Sequence, residues 1–163
     1  AVDSANEWVY YAVPEAIKRV SHLGGPPEMV VSAANTNAFI GGIALDLSTN
    51  RLYWTEPSAN RIMFTNLADP ENTVTVLANL SFSPEHIALD IANNTVYFSR
   101  VTGGSNRILV YRAVITDVVG TLEAFVRSAD HPISNGEMFH TIGGMALDTQ
   151  SAVPRIYWTE NIY

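Results

Sequence analysis

Short apolar runs alternate with polar turns along much of this chain. The pattern is clearest where Ile43 to Leu47 and Leu52 to Thr55 flank the polar stretch Ser48-Thr49-Asn50. Side chains of this polar kind hydrogen-bond nearby backbone groups and so favour turns. The pattern therefore predicts two antiparallel strands joined by a tight turn.

The same pair of strands is predicted at three further places. These are Ala1 to Asp3 with Val9 to Ala12, Ile87 to Asp90 with Val96 to Ser99, and Gly143 to Asp148 with Ile156 to Glu160. The aspartates that end the first strands, Asp3, Asp46, Asp90 and Asp148, are 43, 44 and 58 residues apart. A period of about 43 residues is typical of propeller blades, each a four-stranded sheet.

Two more strands are expected in each of the first three copies. They are Ile17 to Ser21 and Glu28 to Ser32, Arg61 to Asn66 and Thr73 to Ala78, and Arg107 to Val114 and Thr121 to Arg127. Polar loops are expected between them, including Ala33 to Phe39 and Phe82 to His86. Helical repeats of similar length are excluded, because the repeated core is rich in Tyr, Trp, Ile, Val and Thr and has no 3.6-residue period.

The predicted fold class is therefore all-β, a partial propeller of about three to four blades. One incomplete propeller spans 1–163, with repeats near 1–40, 41–84, 85–140 and 141–163. Closed propellers need about four to eight blades. The expectation is that the chain is a segment of a longer polypeptide, or that another chain completes the ring.

Composition narrows the function classes. The net charge is −7, and the nine Lys and Arg are scattered along the sequence. A nucleic-acid surface needs a clustered basic face, so nucleic-acid binding is not expected. No apolar run is long enough to span a bilayer, so direct membrane insertion of this segment is not expected. The absence of cysteine excludes disulfides and thiolate metal sites.

Two Asn-x-Ser/Thr sequences, at Asn79 and Asn93, are possible N-glycosylation sites. Asn93 falls in a predicted turn, where a glycan is tolerated. These sites weakly favour a secreted protein.

The aromatic residues of the repeats are predicted to form the core. Each propeller sheet lies between two neighbours, so that Tyr53, Trp54, Tyr157 and Trp158 would supply contact area between sheets. A ligand-binding role for them is the less favoured interpretation.

These residues also carry a family resemblance. Leu52-Tyr53-Trp54-Thr55-Glu56 and Ile156-Tyr157-Trp158-Thr159-Glu160, each preceded by Gly-Gly-x-Ala-Leu-Asp, resemble the YWTD repeats of the LDL-receptor class B family. Asn60-Arg61-Ile62 is similar to the family's third strand, and Glu15 to Arg19 is similar to a segment of the Wnt co-receptor branch. The resemblance implies a six-bladed propeller, extracellular or at the cell surface, which binds proteins and is not an enzyme. The repeat-motif residues would be structural: Asp46, Tyr53, Trp54, Glu56, Asp90, Tyr97, Asp148, Tyr157, Trp158 and Glu160.

The last residue of the motif departs from the family's aspartate. Glu56 and Glu160 replace it in two copies, and Val13 and Arg100 in the others. In the family this aspartate helps to tie neighbouring blades by hydrogen bonds. Glutamate can still accept such bonds with a longer side chain, whereas Val13 cannot.

The resemblance also implies a protein-binding face. It is built from the loops before the Ala-Leu-Asp strands and those after the Tyr-Trp-Thr strands. The candidates there are Glu15, Asn37, Phe39, Ser58, Asn60, Glu85, His86, Asn106 and His140. They mix acidic, amide and aromatic side chains, which suits a polar rim with a few anchors. The alternative is that these are ordinary solvated loops.

Other chemistries are less favoured than protein binding. The sequence holds no nucleophile motif, phosphate-binding glycine loop or His-Glu-x-x-His, so no cofactor and no metal are expected. The repeated aspartates suggest a structural hydrogen-bonding element rather than a metal ring. Two alternatives remain open: a building block of an extracellular matrix or filament, and a calcium-dependent lactonase-like or esterase-like propeller hydrolase.

Histidine offers a possible pH response, since its charge changes near neutrality. The chain has His22, His86, His131 and His140. His86 and His140 precede equivalent strands and are the best candidates, although a lone loop histidine is more often incidental.

Overall fold

Four antiparallel sheets make up the described part of the chain. The computed structural model describes residues 1–36, 38–100, 108–127, 140–149 and 155–162. The first sheet holds β1 (Val2–Asp3), β2 (Trp8–Val13), β3 (Ala16–Ser21) and β4 (Glu28–Val31); the second holds β5 (Ile43–Asp46), β6 (Arg51–Glu56), β7 (Arg61–Asn66) and β8 (Thr75–Asn79). The third holds β9 (Pro84–Asp90), β10 (Thr95–Arg100), β11 (Ile108–Val114) and β12 (Glu123–Arg127), and the fourth holds β13 (His140–Asp148) and β14 (Arg155–Ile162).

Each strand pairs with the next one along the chain, so every sheet is a series of hairpins. This arrangement confirms the predicted fold class, an all-β partial propeller. Two predicted loops are partly regular structure. A short helix, α1 (Ala33–Thr36), lies in the first linker, and β9 already begins at Pro84. β9 extends this far because Pro84 pairs with Arg100 and the N–H of His86 donates to Ser99 Oγ at 3.0 Å.

Three apolar clusters lie between consecutive sheets. Leu52 and Trp54 of β6 join Tyr10 and Ile17 of the first sheet. Tyr53, which lies between them on β6, belongs instead to the cluster shared with the third sheet. Successive side chains of a strand point to opposite faces. The Tyr position of each motif therefore faces the following sheet, and its neighbours face the preceding one.

The predicted core aromatics are buried in the second sheet and less buried in the described fourth sheet. Tyr53 and Trp54 are 1% and 0% exposed, and Trp158 packs partly against the third cluster. Tyr157 is 55% exposed. The Tyr position of the motif faces the following sheet. None of the described strands packs on that side of the fourth sheet, so the Tyr157 side chain is left exposed.

Glycines allow the linker before β5 to approach β9 closely. A Cβ on Gly41 would lie 2.6 Å from the backbone oxygen of Glu85, and one on Gly42 would lie 3.0 Å from the Cα of His86. Real Cβ atoms essentially never come as close as the first distance, and the second is tighter than nine in ten real Cβ contacts. The glycine pair therefore sets the separation between the second and third sheets.

Candidate functional site

The recurrent aspartates accept hydrogen bonds from residues in the turn of their own hairpin. Asp46 Oδ1 accepts hydrogen bonds from the N–H and Oγ of Ser48, at 2.9 and 2.6 Å. Asp3 and Asp90 accept equivalent bonds from the backbone and side-chain nitrogens of Asn6 and Asn93, at 2.8–3.2 Å. Over the described residues, no three His, Cys, Asp or Glu side chains are grouped to hold a metal ion.

The opposite end of the sheets carries the predicted binding loops, and we call it the loop face. Its described parts are the β2–β3 turn (Pro14 and Glu15), the β4–β5 linker (32–42 without 37), the β6–β7 turn (57–60) and the β8–β9 linker (80–83). They meet at one end because antiparallel hairpins return alternate turns to the same edge.

Hydrogen bonds hold each linker onto the turn beside it. Thr36 Oγ1 donates to the carbonyl of Glu15, and Ser83 Oγ donates to the carbonyl of Pro57 at 3.0 Å. The N–H of Leu80 donates to the carbonyl of Asn60 at 2.7 Å. Glu15 and Asn60 have φ values of 62° and 53°, a conformation that asparagine tolerates better than glutamate. The loop face is therefore tied to the sheets through its backbone, which leaves exposed side chains free for contact.

Four of the predicted face residues have exposed side chains here. Glu15, Ser58 and Asn60 are polar, and Phe39 is an aromatic ring that is 57% exposed. Asn37 and Asn106 lie outside the described residues. His140 begins β13, but its side chain is outside the described part as well.

Glu85 and His86 are predicted to lie in the loop before the strand, but the structure places them within it. Both belong to β9 and are half-buried. His86 Nε2 lies 2.8 Å from the carbonyl oxygen of Ile142, so this ring links the third sheet to the fourth. The carbonyl of Glu85 accepts a hydrogen bond from Thr55 Oγ1, which links the second sheet to the third. Burial raises the pKa of the Glu85 carboxyl, although the charge of His86 opposes the rise.

Glu56 is a buried charge with two partners in its own sheet. It accepts a hydrogen bond from Trp54 Nε1 at 2.9 Å and forms an ion pair with Arg61. Arg61 in turn donates to the carbonyl of Thr36, at 3.3 Å, in the linker from the first sheet. The longer acid of this motif therefore reaches the neighbouring blade through an arginine. Sequence reasoning missed Arg61 and Thr36 in this role.

The third sheet has a cation where the second has Glu56. Arg100 lies over the ring of Phe82, 4.8 Å from its centroid, and donates to the hydroxyl of Tyr111 at 3.3 Å. An arginine–aromatic contact thus occupies the position of the acid. The side chain of Glu160, the fourth copy's acid, is outside the described part.

Both candidate glycosylation sites are exposed. Asn79 ends the outer strand β8, and Asn93 lies in the β9–β10 turn. The side-chain nitrogen of Asn93 already donates to Asp90 Oδ2 at 2.8 Å.

Comparison with known proteins bears on the fold. No protein-family model matches the sequence, and no curated protein matches it. Among solved structures, the chain is similar to one in a crystal structure of a nidogen–laminin complex. The TM-score is 0.63 and the identity 18%, over 95% of this chain and 60% of that one. The chain has the β-propeller fold.

A second likeness is to a structural genomics protein of unknown function from Bacteroides thetaiotaomicron VPI-5482. Its TM-score is 0.56 and its identity 19%, over 76% of this chain and 32% of that one. This propeller chain spans less than two thirds of both neighbours. In the described part, no helix has the length and apolar character to cross a membrane.

Proposed function

We propose that the chain is a non-enzymatic, extracellular β-propeller module of the YWTD type that binds a protein partner through its loop face. The observation that carries the proposal is an exposed aromatic ring, Phe39, among exposed polar side chains on turns that are fixed by hydrogen bonds. Protein interfaces commonly combine an apolar anchor with a polar rim.

Fixed turns favour binding because little conformational entropy is lost when a partner docks. The backbone of the β2–β3 and β6–β7 turns is held by the neighbouring linkers. The nidogen neighbour, whose crystal structure is of a complex with laminin, supports a protein-binding role. That neighbour also supports an extracellular location for this propeller.

The test compares the two ends of the sheets. A photo-crosslinking side chain is placed at Phe39 in one variant and at Leu47 in another, because Leu47 is 46% exposed in the turn at the opposite end. Each protein is incubated with the extracellular fraction of its source cells. We expect a crosslinked partner from position 39 and none from position 47.

The partner identified in this way is then titrated against point variants. Phe39→Ala is expected to weaken binding about tenfold or more, as loss of an aromatic anchor does, whereas Leu47→Ala leaves it unchanged. Equal affinities for the two variants would refute the placement of the binding face.

A building block in an extracellular matrix or filament is the second candidate. It is favoured by β14, which pairs only with β13 among the described strands, because an open strand edge invites pairing. Sedimentation of the purified chain at rising concentration tests it. A chain that stays monomeric argues against this candidate and leaves the first untouched.

A further inference from the structure

The first and third sheets each pair an arginine of the third strand with a glutamate of the fourth. In the first sheet, Arg19 lies 4.2 Å from the centroid of the Trp8 ring and forms an ion pair with Glu28 at 2.8 Å. In the third sheet, Arg112 forms the equivalent ion pair with Glu123. The two arginines are equivalent because each lies opposite a tyrosine of the second strand. Both cations are therefore neutralised within their own sheet.

The second sheet keeps a cation but not its acid. The equivalent positions of its third and fourth strands hold Phe64 and Thr75. Arg51, at the start of β6, lies 5.0 Å from the centroid of the Phe64 ring. Its cross-strand neighbour Asp46 directs its carboxylate to the turn instead. Among the residues that the structure describes, no carboxylate forms an ion pair with Arg51, so its guanidinium is available to a ligand.

Arg51 lies on the wall of a cavity between the second and third sheets. The cavity has a volume of about 330 Å³, and ligand pockets range from about 300 to 1,000 Å³. Tyr53, Ile91 and Ile115 supply apolar lining. The cavity opens at the end of the sheets that carries the β5–β6 and β9–β10 turns, opposite to the loop face. Both of its walls are four-stranded sheets, and its size suits a ligand of a single ring.

The polar groups of the cavity differ between its two walls. On the second sheet, Ser48 Oγ and Thr49 Oγ1 each donate their only proton to the carboxylate of Asp46, so these oxygens can only accept. On the third sheet, Asn94 Nδ2 donates to Thr116 Oγ1 at 3.2 Å. The second amide proton of Asn94 and the hydroxyl proton of Thr116 are then available to donate. The cavity thus offers one cation, neutral acceptors and neutral donors beside an apolar surface.

We propose that this cavity binds a sugar acid, a pyranose ring that carries one carboxylate. The carboxylate accepts two parallel hydrogen bonds from the Arg51 guanidinium. Hydroxyl groups of the ring donate to Ser48 and Thr49 and accept from Asn94 and Thr116. The C–H groups of the ring pack against the apolar lining.

An acidic side chain of a peptide suits the cavity less well. Its carboxylate would pair with Arg51, but it has no proton to donate to the hydroxyl oxygens of Ser48 and Thr49. These oxygens would lose hydrogen bonds from water without replacement, which costs free energy. The inference is independent of the protein-binding loop face, because the cavity opens at the opposite end of the sheets.

Three probes separate the parts of the ligand. Methyl glucuronoside has the ring hydroxyls and the carboxylate, methyl glucoside has the hydroxyls alone, and glutamate with both backbone ends capped has the carboxylate alone. Each probe is titrated into the isotope-labelled chain, and amide shifts in NMR spectra report binding. We expect the glucuronoside to bind saturably with a Kd of about 1 mM and to shift the amides of the β5–β6 and β9–β10 turns. The other two probes should bind at least about tenfold more weakly, because each lacks one set of hydrogen bonds.

Variants of the protein locate the contact. Arg51→Gln is expected to weaken glucuronoside binding about tenfold or more. The matched change Arg19→Gln should leave binding unchanged, because Arg19 lies outside the cavity and already has a carboxylate partner. Thr75→Glu supplies the acid that the first and third sheets have. It should also weaken binding about tenfold, because the introduced carboxylate pairs with Arg51.

The comparison of probes leaves the protein unaltered, so it gives a result even if a variant disturbs folding. An absence of shifts at about 10 mM glucuronoside would overturn the proposal. Equal binding of the glucuronoside and either other probe would also overturn it, and equality with the capped glutamate would assign the cavity to acidic peptides. Unchanged binding by an Arg51→Gln protein with a native NMR spectrum would equally refute it.

Discussion

A carboxylate at the end of β5 organises the turn that follows it. Asp46 is buried and accepts hydrogen bonds from the backbone and hydroxyl groups of Ser48 and Thr49. Burial alone would raise the pKa of Asp46, but these hydrogen bonds outweigh it and hold the pKa below its ordinary value of 3.8. The ionised form therefore stabilises the folded state.

Asp46→Asn is expected to lower the free energy of unfolding by about 1–2 kcal/mol at neutral pH, because hydrogen bonds to a charged acceptor are replaced by weaker ones. A depressed pKa gives stability that is present above the unfolded value and lost as the pH falls through the folded one. The difference in the free energy of unfolding between the variant and the wild type should therefore shrink below pH 3.8. Urea unfolding at several pH values measures it. Asp69→Asn, in an exposed turn where Asp69 accepts one bond from Asn72, is the matched control and should change little.

Glu85 behaves in the opposite sense. Burial raises its pKa above the ordinary value of 4.5, so the ionised form costs the folded state free energy at neutral pH. Glu85→Gln should stabilise the chain at pH 7 by about 0.5 kcal/mol or less, because the side chain is only half-buried. The gain in stability should disappear below pH 4.5, where the Glu85 carboxyl of the wild type is protonated in both the folded and the unfolded state. An equal gain at pH 7 and pH 4 in urea unfolding would contradict this account.

At the scale of elements, the linker before β5 lies in close backbone contact with β9. Gly41 and Gly42 lie against Glu85 and His86, and Thr55 accepts from the N–H of Gly42 at 2.9 Å while it donates to Glu85. The Thr55 hydroxyl of β6 thus connects the linker before β5 with β9. The contact leaves no space for a side chain at Gly41 and little at Gly42.

Gly41→Ala is expected to destabilise the chain by about 1–3 kcal/mol, because the new methyl group meets the Glu85 carbonyl and the Pro57 ring. Gly144→Ala is the matched control, since the nearest atom to a Cβ there is Thr159 Oγ1 at 3.9 Å. Thermal or urea unfolding of the two variants makes the comparison. Similar losses at both positions would show that the close contacts at Gly41 do not set the effect, because the lower backbone entropy of an unfolded chain with alanine favours folding.

At the scale of the whole molecule, each apolar cluster of the described residues lies between sheets that are consecutive in the sequence. The second and third sheets are covered on both faces, whereas the described fourth sheet is covered on one, which leaves Tyr157 exposed. Stability in such arrays is carried by the interfaces between neighbouring units. The second and third sheets should therefore undergo local unfolding least often.

Amide hydrogen exchange measures how often each sheet opens. β6 and β14 hold equivalent positions as second strands, yet β6 pairs on both edges and β14 on one among the described strands. We expect β14 amides to exchange at least about tenfold faster than those of β6 in the chain alone. Equal protection would show that another strand pairs with β14.

Much of the fold was predictable from local pattern. The strand pairs around Asp3, Asp46, Asp90 and Asp148 follow from two-residue alternation and turn chemistry, both of which are local properties of the chain. The short α1 was missed because a single turn of helix in a polar linker has no periodic signal. The start of β9 was placed late because Pro84 suggested a loop, whereas proline is tolerated as the first residue of a strand.

The candidate site was less predictable, since it depends on which chain segments meet. The family resemblance implies that loop positions such as Phe39 and Asn60 lie on one face. The bond from His86 to Ile142 joins residues 56 positions apart, and the path from Glu56 through Arg61 to Thr36 crosses two blades. No local pattern encodes such pairs.

The sequence by itself determined the strands, their hairpin order and the repeated blade, because side-chain alternation and turn residues act over a few positions. Only the tertiary structure decided which equivalent residues are buried. Tyr53 and Tyr157 share one motif, yet one is 1% and the other 55% exposed. The difference arises because burial is set by the neighbouring sheet, which a residue's own segment does not contain.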